Sequence, residues 1–364
     1  MPETPNIVIV HTDDTGPYGH DIETPDLQRL ADDGVLFRNA HCAGPTCSPS
    51  RGALLTGSSP HSNGLIGLAH RGFAMDDYGR HLSNSLTERG FETVLAGQQH
   101  EVAEDTVEGD AVKEVLGYDR VLESDESAVG ELPIDHNHTR SDLAITEAAA
   151  DYIRETGNED TAKPFFLSVG LDDTHQPMPL DQDLVDPDYV APPEPLPDAP
   201  PIREEMAAYH VAAQYVDERV GRVIDALEGT DQLEDTVLLF TTDHGIPFPL
   251  MKCNLSDGGT GVSVITRFPE STSLPRGVAK DALVSHIDLY PTFCDLLDFD
   301  VPEWAEGNSL LPLLRGEVES IREALFSEVT YHAAYEPKRS IRTDRPVRPT
   351  FRRGLRPIRG AEHG

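Results

Sequence analysis

The residues best able to do chemistry stand in three short strings. In Cys47-Ser48-Pro49-Ser50-Arg51 a thiol comes just before an expected helix start, where unpaired backbone N–H groups and the helix dipole favour an anion. Arg51, four residues on, can reach back to the same position. Taken alone, an ordinary buried cysteine ahead of a Pro-capped helix gives the same pattern. The other two strings are Asp13-Asp14 and Asp243-His244, each directly after an apolar run. Three carboxylates brought together suit Ca²⁺ or Mg²⁺, and the imidazole leaves Mn²⁺ or Zn²⁺ open. An Asp after a strand also serves as a plain cap or turn residue; the repetition is what points to a cation.

Such strings need elements to bring them together. Asn6–His11 is a short β-branched run that predicts a buried strand, and Val237–Thr241 is its counterpart. Thr93–Ala96 and Phe165–Leu171 are further buried strands, and Val35–Arg38 a short one. Thr24-Pro25-Asp26 predicts a helix to about Gly34, with Thr24 as N-cap and Pro25 at N1. Ser50–Leu55 predicts another helix start, after a Gly/Pro-rich loop. Apolar residues at helical spacing from Met206 to Leu227 predict a long amphipathic helix over Glu204–Leu227, and His286–Leu297 predicts one more. Residues 179–201, rich in Pro and Asp, predict a surface excursion. Strands alternating with helices predict an α/β fold with a mostly parallel central sheet covered by helices on both faces. In such sheets the site lies beyond the carboxyl ends of the strands, where Asp13 and Asp243 fall.

Composition narrows the partners. The 364 residues carry 64 acidic and 29 basic side chains, a formal charge of −35. Phosphate binding needs a basic surface, so nucleic acid is excluded as a partner, and so is adsorption to an anionic membrane. Residues 338–364 hold nine basic and two acidic residues, leaving 20 basic and 62 acidic over 1–337. An acidic body with only five lysines predicts a protein kept soluble in concentrated salt. No apolar run reaches membrane-spanning length, and no signal peptide or twin-arginine is visible, which predicts a cytoplasmic protein. Cys42, Cys47, Cys253 and Cys294 lack zinc spacing.

The eleven residues from Cys47 to Gly57 match C-[ST]-P-S-R-x-x-x-[hydrophobic]-T-G at every fixed position. The chain thereby resembles a type I sulfatase of the alkaline phosphatase superfamily, from about residue 4 to about residue 345. The resemblance implies that Cys47 is oxidised to formylglycine by a maturation enzyme. The aldehyde hydrate then attacks sulfur through one hydroxyl and expels sulfate with the second. Asp13, Asp14, Asp243 and His244, with residue 47, match the family's Ca²⁺ site. Arg51 would hold the formylglycine hydroxyl, and Lys252, eight residues after His244, matches a sulfate-binding Lys. His175 in Phe165-Phe-Leu-Ser-Val-Gly-Leu-Asp-Asp-Thr-His175-Gln-Pro resembles the family's general acid to the leaving group. His100 in Gly90-Phe-Glu-Thr-Val-Leu-Ala-Gly97-Gln98-Gln99-His100 matches the histidine that bonds the formylglycine hydroxyl. Gly245-Ile-Pro-Phe-Pro, Glu328-Val-Thr and Arg339-Ser-Ile-Arg-Thr look closest to the heparan N-sulfatase branch, implying a small sulfated substrate: a sulfate ester or a sulfamate.

Two features depart from the family. Gln98 stands where a Lys contacts the sulfate and leaving oxygen; losing that charge costs on the order of 10²–10³ in rate. The resemblance also fades near Arg345, so the C-terminal antiparallel subdomain is expected to be largely missing, with 1–337 the folded domain. Residues 338–364 are expected to be a disordered basic arm or frameshifted sequence. A phosphodiesterase or phosphonate hydrolase on the same scaffold, and a truncated non-catalytic homologue, are the alternative readings.

Overall fold

A computed structural model describes residues 4–16, 22–103, 111–130, 136–158 and 163–343. In chain order its elements are β1 (Asn6–Thr12), α1 (Pro25–Asp32), β2 (Val35–Phe37), β3 (Ala40–His41), α2 (Cys47–Thr56), α3 (Pro60–Asn63), α4 (Leu82–Thr87), β4 (Glu92–Gly97), α5 (Ala111–Leu116), β5 (Arg120–Leu122) and α6 (Asn137–Gly157). There follow β6 (Phe165–Leu171), α7 (Pro200–Gly229), β7 (Thr236–Thr242), α8 (Asp257–Thr260), β8 (Val264–Arg267), β9 (Val278–Lys280), β10 (Val284–Ser285), α9 (Leu289–Leu296), α10 (Leu311–Leu314), β11 (Ala324–Tyr331) and β12 (Tyr335–Thr343).

Eight strands form one sheet in the order β5-β4-β6-β1-β7-β8-β2-β9. All pairs are parallel except those of β8, which runs against β7 and β2. β1 lies at the centre, in continuous register with β6 on one side and β7 on the other. Its alternation shows why the apolar run is unbroken. Ile7 and Ile9 pack into one core with Leu54, Leu55 and Tyr290, while Val8 and Val10 pack into another with Ile153, Val220 and Ile224. Both faces are buried, as the parallel arrangement requires.

Local signals held with shifted edges. α1 opens after Thr24 with Pro25 at its first position, but the Thr24 side chain makes no cap. Asp217 of α7 accepts from the N–H groups of Asp26 and Leu27 instead, at 3.2 and 2.8 Å. α2 begins at Cys47 itself, three residues before the expected start, so the thiol lies inside the first turn. His286–Leu297 divides into a 3₁₀ turn at His286–Asp288 and then α9. The 179–201 excursion holds a single 3₁₀ turn, Pro187–Tyr189, before α7. β11 and β12 form an antiparallel hairpin that continues through Thr343, so six residues of the segment expected to be disordered are strand. Residues 344–364 lie outside the described residues. Among the described residues, no helix is long and apolar enough to cross a membrane.

Candidate active site

The site sits at the carboxyl tips of β1, β6 and β7. Thr12 and Thr242 are in register, so Asp13 and Asp243 leave the sheet side by side. Asp13 N–H bonds to Leu171 O and Asp243 N–H to Thr12 O, both at 3.0 Å, which fixes the two tips. Asp14 takes a left-handed backbone (φ 61°) that turns its N–H onto Asp243 Oδ1 at 2.9 Å. His244 N–H reaches the same oxygen at 2.7 Å. One Asp243 oxygen thus stitches the strand tips together, and the other faces inward.

The inward atoms define the chemistry of the centre. Asp13 Oδ2, Asp14 Oδ1, Asp243 Oδ2 and His244 Nε2 are buried, and beyond the ion-pair neighbours His100, Lys252 and one another they meet no hydrogen-bond partner among the described residues. Such atoms are costly unless something binds them. Burial and the neighbouring Asp13 push Asp243 well above the usual carboxylate range, and burial likewise raises Asp14. For Asp13 burial pushes the same way, but His100 and Arg51 outweigh it and hold the group low. Oxygen and imidazole donors converging on one point fit a divalent cation. The ligand atoms of Cys47, Asp243 and His244 all lie within 4.8 Å of one another, as do those of Asp13, Cys47 and His100. Cys47 is where the two triads meet. Asp14 is adjacent but belongs to neither; its carboxylate pairs with Lys252 Nζ at 2.7 Å.

α2 carries Cys47 and Arg51 one turn apart, and every residue of the helix is buried. Its N-terminus has no side-chain cap, so its N–H groups remain available to an anion at residue 47. Thr56 closes the helix onto Gly52 O at 2.7 Å. Gly57 follows at φ 66°, where an added Cβ would lie 2.8 Å from Tyr290; this explains the Thr-Gly that ends the signature. Burial pushes the Cys47 thiol above its usual range. Unmodified, it is a poor nucleophile at neutral pH. Arg51 donates to Asp13 Oδ1 at 3.0 Å and to the Gln98 carbonyl at 3.2 Å.

The remaining residues ring this centre. His100 Nδ1 is 3.1 Å from Asp13 Oδ2. Burial opposes its protonation, but Asp13 prevails and lifts the imidazole to about 10. Gln98 is set at the end of β4 by its N–H bond to Gly170 O, 3.0 Å. Its side-chain amide makes no hydrogen bond among the described residues, and with Ala69, His70 and His100 it lines a cavity of about 280 Å³. A larger cavity of about 610 Å³ between β5 and α6 contains none of the site residues. His175 comes off β6 with Nδ1 bonded to Gln176 O at 2.9 Å and Nε2 3.9 Å from Asp14 Oδ2. All the residues expected from sequence therefore converge on one place. The supports went unread: Thr174 Oγ1 on Asp13 O at 2.5 Å, Tyr209 on Thr15 O, and a His138–Asp172 pair beside His175. Asp172 and Thr174 lie within the string that gave His175, but Tyr209 and His138 stand among helical residues with no distinguishing spacing.

Known proteins resemble this chain in sequence and in fold. The Sulfatase family model matches residues 5–299. The chain is 30% identical to human N-sulphoglucosamine sulphohydrolase, over 90% of this chain and 69% of that protein. It is 28% identical to the uncharacterized sulfatase YidJ of Escherichia coli K12, over 84% and 70%. A putative sulfatase from Bacteroides fragilis superposes with a TM-score of 0.74 at 22% identity, covering 94% of this chain and 85% of that one. The phosphonate monoester hydrolase of Silicibacter pomeroyi gives 0.71 at 21%, over 92% and 81%. A signature helix, paired strand-tip acids and a matching family model over most of the length lead to one assignment: the chain belongs to the sulfatase family of enzymes.

Proposed function

We propose that this sulfatase hydrolyses a sulfate ester or sulfamate of a small sulfated molecule, with residue 47 acting as formylglycine beside a divalent cation, Ca²⁺ by preference. The observation that carries this is the position of Cys47, shared by both ligand triads and unreactive as a thiol. Asp13, Asp14, Asp243, His244 and residue 47 would hold the cation. When bound, the cation supplies charge neutralisation at the carboxylates and polarisation of a sulfuryl oxygen. Oxidised by a maturation enzyme, residue 47 supplies a hydrated-aldehyde hydroxyl as nucleophile toward sulfur. Arg51, fixed by Asp13, holds positive charge under that hydroxyl. His100 holds a proton at the same atom. Lys252 anchors a sulfate oxygen, Gln98 offers a neutral donor, and His175 presents Nε2 to the leaving atom. The likeness to human N-sulphoglucosamine sulphohydrolase supports a sugar sulfamate among the candidates.

Mass spectrometry of the peptide containing residue 47, from protein made in its native host, tests the reading. Conversion of Cys47 to the aldehyde is expected; wholly unmodified Cys47 would sink it. Parallel assays on aryl sulfate and aryl phosphate separate it from phosphate or phosphonate hydrolysis, which wins if only the phosphate turns over.

A further inference from the structure

A second group of imidazoles and carboxylates lies beside His175, and the chemistry above does not use it. His138 stands in the first turn of α6, with Nδ1 3.0 Å from Asp172 Oδ2. One turn further along the same helix, buried Asp142 accepts the backbone N–H groups of both Asp172 and Asp173 on Oδ2, each at 2.7 Å. Arg219 of α7 adds an ion pair to Asp173 at 3.6 Å and a bond to Thr139 O at 3.3 Å. The start of α6 is therefore locked to the loop that carries His175. The lock sets the His138 and His175 rings 6.0 Å apart between centroids.

The two rings are held in the same way. Each has Nδ1 committed to an oxygen acceptor, His138 to Asp172 and His175 to the Gln176 carbonyl. The Asp172 bond also raises His138 above the usual imidazole range. Its Nε2 has no partner among the described residues, and the side chain is 24% exposed. A ring nitrogen held in this way needs a hydrogen-bonding partner. Left facing a group without one, it loses a hydrogen bond that water would otherwise supply.

We propose that His138 is a specificity-determining residue of this site, hydrogen-bonding through Nε2 to a hydroxyl of the leaving group. The chain then prefers a polyhydroxylated leaving group, a sugar, over an aryl alcohol. An aryl ring brings no oxygen next to its scissile position, whereas a sugar ring brings a neighbouring hydroxyl. The assignment of His175 to the leaving-group side rests on the sulfatase reading above.

The test measures binding by calorimetry in a Cys47→Ala background, which holds substrate without turnover. N-sulfoglucosamine and 4-nitrophenyl sulfate are the probes. Adding His138→Leu is expected to weaken the sugar roughly tenfold or more and the aryl sulfate less than twofold. His138→Gln, which keeps a hydrogen-bonding group, recovers most of the loss. Equal losses for both probes, no change for the sugar, or no sugar binding by the Cys47→Ala protein each overturn the proposal. Absence of sulfate release from both N-sulfoglucosamine and 4-nitrophenyl sulfate by the matured parent is a separate outcome, and it counts against the sulfatase reading instead.

Discussion

Arg51 Nη2 lies 3.0 Å from Asp13 Oδ1, and both side chains are almost wholly withdrawn from water, at 1% and 0% exposure. Asp13 is the main compensation for the Arg51 charge, and it is itself held by both His100 and Arg51. Removing one partner of a buried pair leaves an uncompensated charge, which costs about 3–5 kcal/mol. Arg51→Ala is therefore expected to lower the unfolding free energy by about that amount in urea titrations, as well as abolishing turnover. Arg51→Lys keeps the charge but loses the second donor, which serves the Gln98 carbonyl, and falls between.

Cation loading should be visible without catalysis. Asp243 and Asp14 are pushed up by burial, so a divalent ion relieves repulsion and stabilises the fold. At a hundredfold excess over Kd the gain is about 2.7 kcal/mol. Scanning calorimetry with and without Ca²⁺ should show a rise in Tm that a chelator reverses and Asp243→Asn largely removes.

Gln98 places a neutral amide at the edge of the centre, with its backbone pinned and its side chain unengaged. Gln98→Lys adds a charged donor where negative charge develops. We expect kcat/KM for a sulfate ester to rise on the order of 10²-fold. Unchanged steady-state kinetics would show that the amide already serves the same purpose.

Asp288 gives a pH signature away from the metal centre. It accepts from the N–H groups of Ser285 and Asn308, each at 2.8 Å, and pairs with Arg322. Burial dominates and lifts it to about 6. The folded chain thus binds a proton at Asp288 more tightly than the unfolded chain does. The resulting stabilisation is full below about pH 4 and lost as pH rises through 6, about 3 kcal/mol in all. Urea unfolding between pH 4 and 7 should show this slope, and Asp288→Asn should flatten it.

The strand tips were legible in the sequence because two unbroken apolar runs end alike, in Asp-Asp and Asp-His, and such runs belong in a parallel sheet buried on both faces. Phe165–Leu171 matched β6 at both ends for the same reason. α6 escaped notice although it is 21 residues long. Its buried face is built largely from alanine and threonine, such as Ala149, Ala150 and Thr146, so hydrophobic spacing is faint there. β8 was missed because four residues, Val264–Arg267, are too few to show a period. The His138–Asp172 pair was invisible for a different reason: it joins residues 34 positions apart through a lock that only the fold creates.

The central place of β1 has a consequence for how the enzyme dies. Asp13 and Asp14, His175, and Asp243 with His244 all hang from the tips of β1, β6 and β7, whose pairing runs in register along their length. Local fraying at the periphery does not reach those tips, so heat should extinguish catalysis only at the collapse of the whole sheet. Inactivation and melting would then share one midpoint. Protecting the enzyme would mean slowing its global opening rather than bracing any loop.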